Sequence, residues 1–176
     1  MSEQTANHLP IEDMLPTEGK WFADAGPQSD AILSTRVRLA RNLKGLSFPV
    51  RGLSEELGGV LHRVGNAALG VSAFQGRDLT ETGTLSVLER QFLLERHLIS
   101  YELASAGRHS GLVFAPDEGA SIMINEEDHV RVQALRPGLQ LDECYRRADQ
   151  IDDQLEASLE WAFSDDFGYL TACPTN

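Results

Sequence analysis

Residues 112–135, LVFAPDEGASIMINEEDHVRVQAL, contain three short runs rich in apolar and β-branched residues, at 112–115, 120–125 and 129–135. Such runs read as strands. Pro116-Asp117-Glu118-Gly119 separates the first two with the chemistry of a hairpin turn. The link between the second and third is too short for a crossover helix, so all three are expected to run antiparallel. Arg136-Pro137-Gly138 closes the third run.

Working outward from this meander, AILSTRVRLARN from Ala31 alternates apolar and polar residues and reads as a further strand. Downstream of the strands, Leu141, Cys144, Ala148, Ile151, Leu155, Leu159 and Ala162 recur at three and four residues, with Asp149, Asp153, Glu156 and Glu160 on the wet side. This spacing predicts a long amphipathic helix. A second helix is expected after Ser54 as its cap, with Leu57, Val60, Leu61 and Val64 inward and Gly70 as its stop. A third is expected over 85–103, with Val87, Leu88, Phe92, Leu93 and Leu94 near its buried side. Before about residue 30 the chain is polar and broken by Pro10, Pro16 and Pro27. Residues 1–30 therefore read as an extension held to the body by Trp21 and Phe22. An antiparallel β-sheet flanked by helices is an α+β domain, and 176 residues with 41% apolar content suit one core rather than two.

Composition narrows the function classes. A formal net charge of −12 argues against a nucleic-acid partner, because phosphate neutralisation needs a basic surface. No apolar run is long enough for a membrane span, and the first fifteen residues lack the pattern of a secretory signal, so a cytoplasmic location is expected. The two cysteines, Cys144 and Cys173, have no metal-ligand spacing. The only lysines are Lys20 and Lys44, and no GxxxxGK[ST] loop is present, which removes the P-loop nucleotide hydrolases. Asp166-Phe167-Gly168 matches the metal-binding triplet of eukaryotic-type protein kinases, but their other signatures are missing.

Three stretches could carry chemistry. On an extended Ser34-Thr35-Arg36-Val37-Arg38 segment, Arg36 and Arg38 share one face and Thr35, Val37 and Leu39 the other. Two aligned guanidinium forks suit a polyphosphate; a solvated arginine face is the plain alternative. If residues 125–131 are extended, Glu127, His129, Arg131 and Gln133 share a face, with Glu126 and Asp128 opposite or in a turn. A solvated acidic turn is the alternative there. Cys173, among small and hydroxylic residues before Pro174, fits either a loop thiol of lowered pKa or a small apolar residue. Cys144, on the helical stripe, reads as the latter.

LSTRVRLARN, LERHLIS, INEEDHVR and GYLTACPTN, in this order, resemble the signature stretches of the ATP:guanido phosphotransferases, the family of arginine and creatine kinases. The short N-terminal part and the ERHLIS and GYLTACPTN stretches are most similar to its bacterial protein-arginine kinase branch. The resemblance implies that residues 31–176 are the N-terminal part of a guanido kinase catalytic domain using ATP, with Mg²⁺ carried by the nucleotide. It assigns Ser34, Thr35, Arg36, Val37, Arg38, His97 and Arg131 to nucleotide binding, Glu127 to the substrate guanidinium, and Cys173 to the place beside it. Thr35 stands where serine is common.

The implied reaction moves the γ-phosphate of ATP to arginine side chains in proteins, a repressor being one candidate substrate, and so marks them for Clp-type proteolysis. A homodimer at full length is compatible with it. A kinase for a small guanidino metabolite, and a non-catalytic phosphoarginine- or adaptor-binding module, are the alternatives. Family members continue beyond CPTN into further phosphate-binding arginines and a second substrate carboxylate, so the chain is expected to be a fragment without activity alone. Arg36, Arg38 and Arg131 are expected to converge on one side of a single sheet, with Glu127 at the pocket's edge.

Overall fold

The computed structural model describes residue 14 and residues 19–107 and 109–173. A short helix α1 (Lys20–Ala23) precedes strand β1 (Ser34–Arg41). Helix α2 (Ser54–Leu69) and the two-residue strand β2 (Thr80–Glu81) follow, then α3 (Val87–Glu95) and α4 (Tyr101–Ser105). Strands β3 (Gly111–Phe114), β4 (Ala120–Ile124) and β5 (Val130–Pro137) form the meander. Helix α5 (Leu141–Glu156) and a small hairpin, β6 (Phe163–Ser164) with β7 (Gly168–Tyr169), end the described chain. Five strands pair in the order β1-β5-β4-β3-β2, every ladder antiparallel, giving the α+β architecture expected. Among the described residues, no helix is long and apolar enough to cross a membrane.

The β3–β4 turn works through backbone geometry. Glu118 holds a left-handed φ of 55°, the Ala115 amide donates to Ala120 O at 2.9 Å, and the Asp117 carboxylate accepts from the Gly119 amide at 3.1 Å. Both central strands are buried along their length, because helices cover both faces. On one face α2 and α5 close over Val113, Ile122, Ile124, Val130, Val132 and Ala134. On the other, Leu93, Leu98 and Leu103 from the α3–α4 region pack on Leu112, Phe114 and Met123. Strand β1, at the edge, alternates instead.

Several expectations shift. The helix expected over 85–103 is two helices, broken where His97 takes a φ of 55°. Ser86 and Glu89 form a reciprocal capping box that starts α3, so its first turn faces outward and Val87 and Leu88 are exposed. Ser54 is the first residue of α2, not its cap, and its hydroxyl meets His109 Nε2 at 3.0 Å. Leu141 is exposed, and α5 ends at Glu156, so Leu159 is buried from the following loop. Cys144 lies fully buried on the stripe, its thiol donating to Ala134 O at 2.9 Å. Asp166 and Phe167 lie in the β6–β7 turn and Gly168 opens β7, with Phe167 exposed.

Candidate active site

The β1–β5 register sets Arg36 opposite Leu135, Arg38 opposite Gln133 and Ala40 opposite Arg131. Directly opposed residues of an antiparallel pair point to the same side. Arg36, Arg38 and Arg131 therefore lie on one face of the sheet, away from α2 and α5. Arg36 and Arg38 are exposed, and Arg38 Nε donates to Gln133 Oε1 at 3.2 Å. Partial burial lowers the Arg38 pKa, and the charges of Arg36 and Arg131 lower it further. A row of cations that disfavour one another's charge is stabilised by an anion between them.

The acidic stretch departs from the extended reading. Asn125 has a φ of 55°, its amide donates to His129 O at 3.1 Å, and the Glu126 amide donates to Asp128 O at 3.1 Å. Residues 125–129 are thus a tight turn, and all three acids gather round one arginine. Arg131 Nη1 lies 2.7 Å from Glu126 Oε2, while Nη2 lies 3.0 Å from Glu127 Oε2 and 3.8 Å from Asp128 Oδ2. Glu126 and Asp128 side chains are fully buried, whereas Glu127 is 46% exposed. The Ser100 hydroxyl, which caps α4, also donates to Glu126. Burial pushes the Glu126 carboxyl pKa up against the pull of Ser100, Arg131 and Arg38. Glu127 alone of the three faces solvent beside the arginine face.

Asp128 ties distant segments together. Its Oδ1 accepts from Asn42 Nδ2 at 2.6 Å and from the Ala172 amide at 2.6 Å. Asn42 in turn accepts from the His129 amide at 2.9 Å and donates to Leu170 O at 3.1 Å. The 170–173 segment is so fastened to the acidic turn, and Cys173, half-buried, comes one residue after the anchored Ala172. Pro174, Thr175 and Asn176 lie outside the described residues. His97 is exposed; its carbonyl accepts from Gln133 Nε2 at 2.7 Å, placing it beside Arg38. Thr35 and Val37 point to the opposite face: Thr35 Oγ1 donates to Gly138 O at 2.6 Å and accepts from the Gln140 amide at 2.9 Å, and Val37 packs on the main core. Their side chains are turned away from the arginines, while Ser34 shares the arginine side.

The sequence pattern gives Glu126 and Asp128 only a place opposite Glu127 or in a turn, and it marks neither Asn42 nor Ser100. Asn42 closes LARN directly after β1, and a lone amide ending a strand was the available signal.

His129 gives a pH test. It is fully buried; its Nδ1 accepts from the Leu43 amide at 3.1 Å, so its proton sits on Nε2 and donates to Ser47 O at 3.0 Å. Burial lowers its pKa. A histidine of lowered folded pKa stabilises the fold above its unfolded value of about 6.5, and that contribution is lost as pH falls toward the folded value. Urea midpoints should fall more steeply between pH 7.5 and 5.5 for the wild type than for His129→Asn. Parallel slopes would exclude the linkage.

Residues 60–176 match the family model for the ATP:guanido phosphotransferase C-terminal catalytic domain. That is more than half of the chain, which therefore belongs to this family. Within it, the chain is 46% identical over 165 residues to the protein-arginine kinase of Moorella thermoacetica, covering 92% of this chain and 47% of that protein. It is 38% identical over 174 residues to the protein-arginine kinase of Bacillus velezensis, covering 94% and 45%. The chain thus spans about half the length of these curated relatives. Among solved structures, the duplicated taurocyamine kinase of Schistosoma mansoni aligns with a TM-score of 0.76 at 24% identity, over 90% of this chain and 24% of that one. Lombricine kinase aligns at 0.70 with 20% identity, over 90% and 53%. These two share the fold.

Proposed function

We propose that the chain supplies a nucleotide face and a guanidinium-holding carboxylate to an enzyme that transfers the γ-phosphate of ATP to arginine side chains of proteins. The observation that carries this reading is the placement of Arg36, Arg38 and Arg131 on one sheet face, with half-exposed Glu127 paired to Arg131 at its edge. A guanidinium is protonated at any physiological pH, its pKa lying above about 12, so its nitrogen needs a carboxylate to hold it and help remove a proton. Glu127 does this. The nitrogen–phosphorus bond forms as the bond from the γ-phosphorus to the β,γ-bridging oxygen breaks, ADP departs, and the released proton passes through Glu127 to solvent. The arginines bind and neutralise the phosphate oxygens as charge develops there.

Glu126, Glu127 and Asp128 surround Arg131, so these acids are committed to a cation of the chain itself. Mg²⁺ carried by the nucleotide, as the family resemblance implies, would supply further charge neutralisation. A cytoplasmic location is part of the same reading, and delivery of marked proteins to a Clp-type protease is what the family resemblance implies. The protein-arginine kinase relatives favour a protein over a small guanidino metabolite as acceptor, and a half-exposed Glu127 is within reach of an arginine presented on a protein surface.

The test is to incubate the full-length gene product with ATP and Mg²⁺, offering either an arginine-rich protein or free arginine, and to measure acid-labile phosphate. Labelling of the protein is expected; turnover confined to free arginine would overturn the acceptor assignment. Arg36→Ala and Arg38→Ala should each weaken nucleotide binding by about 1.5–3 kcal/mol, the range for a charge-assisted contact. Titration calorimetry on the double variant should show less than the sum, since both meet one ligand. Fully additive losses would mean separate sites.

A further inference from the structure

The corner at Arg96 and His97 is held from outside the sheet by the N-terminal segment. The Trp21 ring meets the His97 ring edge-on, centroids 5.0 Å apart at 86°. Trp21 is itself buried and packs edge-on to Phe22 at 4.8 Å. The neighbouring Arg96 is tied to the same segment twice, with Nη2 donating to Met14 O at 2.9 Å and the guanidinium 5.6 Å from the Phe22 ring centre. Its Nη1 also meets Glu118 Oε2 at 3.2 Å. Gly19 fits tightly here, because an added Cβ would come within 2.8 Å of that Glu118 oxygen.

Trp21 and Leu135 line one cavity. Leu135 is directly opposite Arg36 in the β1–β5 ladder and so lies on the arginine face. Arg36, Arg38, His97, Glu127 and Arg131 do not line that cavity, so the segment reaches the arginine face through side-chain contacts and not through a shared cavity. His97 holds a left-handed backbone, φ 55°, a strained state for a non-glycine residue that needs support from its surroundings. That support is Gln133 on its carbonyl and Trp21 on its ring. Gln133 also holds Arg38, so Trp21, His97, Gln133 and Arg38 form a continuous chain of contacts from the N-terminal segment to the arginine face.

We infer that Trp21 is a positioning residue for the nucleotide site, fixing the His97 imidazole where the nucleotide meets it. This rests on the nucleotide reading of the arginine face and on the nucleotide role that the family resemblance gives His97. The segment acts through contact geometry and not through charge. Its effect should therefore appear as nucleotide affinity, while the chemical step, which runs at Glu127, proceeds unchanged.

The experiment compares Trp21→Ala, Trp21→Phe, His97→Ala and the Trp21→Ala/His97→Ala double variant in the full-length gene product, each checked for folding by circular dichroism. Trp21→Ala should raise KM for ATP roughly three- to tenfold, the scale of a lost aromatic pair, with kcat nearly unchanged. Trp21→Phe should restore KM, since a phenyl edge can replace the indole. The double variant should be no worse than His97→Ala. In a Trp161→Phe background, the emission of Trp21 should change as ATP is titrated.

If His97→Ala raises KM while Trp21→Ala does not, the positioning role is overturned and the nucleotide reading stands. If His97→Ala leaves KM unchanged, the nucleotide role of His97 fails and the positioning role falls with it. Loss of melting temperature in Trp21→Ala without a change in KM, or losses that add in the double variant, would reduce Trp21 to a structural anchor.

Discussion

Glu127→Gln in the full-length protein is expected to lower kcat by roughly 10²–10⁴-fold, the range for a positioned acid or base, while nucleotide affinity stays nearly unchanged. Glu127 Oε2 accepts from Arg131 Nη2 at 3.0 Å, and the amide oxygen of glutamine can accept the same bond. The shape of the turn is thereby kept, and the side chain is exposed enough that its charge is not needed for folding. What disappears is the negative charge that, in the proposed reaction, orients a guanidinium and accepts its proton. Single-turnover phosphate transfer, measured beside equilibrium binding of ATP, separates the two effects. A variant that keeps most of its kcat would remove Glu127 from the mechanism.

Arg131→Met should be the most damaging single change to the site, through stability as well as binding. Arg131 is 8% exposed and faces two carboxylates, Glu126 and Asp128, whose side chains are fully buried. Removing one member of a buried ion pair costs about 3–5 kcal/mol, because the remaining charge is left without compensation. The loss should depend on pH in a particular direction. Burial already raises the Glu126 pKa, and without Arg131 it rises further. A carboxyl raised in the folded state contributes stability below its unfolded pKa, which is lost as pH rises through the folded value. The deficit of Arg131→Met against the wild type should therefore be larger at pH 8 than at pH 5 in urea titrations. Adding Glu126→Gln should recover part of it at pH 8. A pH-independent deficit would show that Glu126 is not the group left stranded.

Much of the framework was legible because it rests on local rules. The Pro116–Gly119 turn and the alternation of β1 fix strand direction and side-chain face within a few residues. From these, the shared face of Arg36 and Arg38 could be read directly. That Arg131 joins them depends on register between segments far apart in the chain, which periodicity alone does not set. The acidic turn was less legible for a specific reason. Period-two logic holds only where the chain is extended, and Asn125, with its left-handed φ, ends the strand one residue before Glu126. Glu126 consequently turns inward to Ser100 and Arg131. The break at His97 was hidden in the same way, since leucines continue across it at helical spacing and the left-handed residue carries no glycine to announce it. Asn42 and Asp128 form a long-range pair of polar side chains, and no local pattern marks such a pair.

The position of β1 also sets an order of events as the chain is made. Arg38 and the Gln133 that holds it are separated by 95 residues, whereas β3, β4 and β5 follow one another through short turns. Contacts that close short loops form sooner than those that close long ones. At synthesis rates of 5–20 residues per second, the arginine strand waits roughly 5–20 seconds for its partner to be made. Once β5 is made, the meander can close through its short turns and offer β5 as an open edge before β1 docks. The arginine face, which needs both β1 and β5, is thus completed late. In that interval the cationic side chains of Arg36, Arg38 and Arg41 keep the waiting strand from pairing with a neighbouring nascent chain.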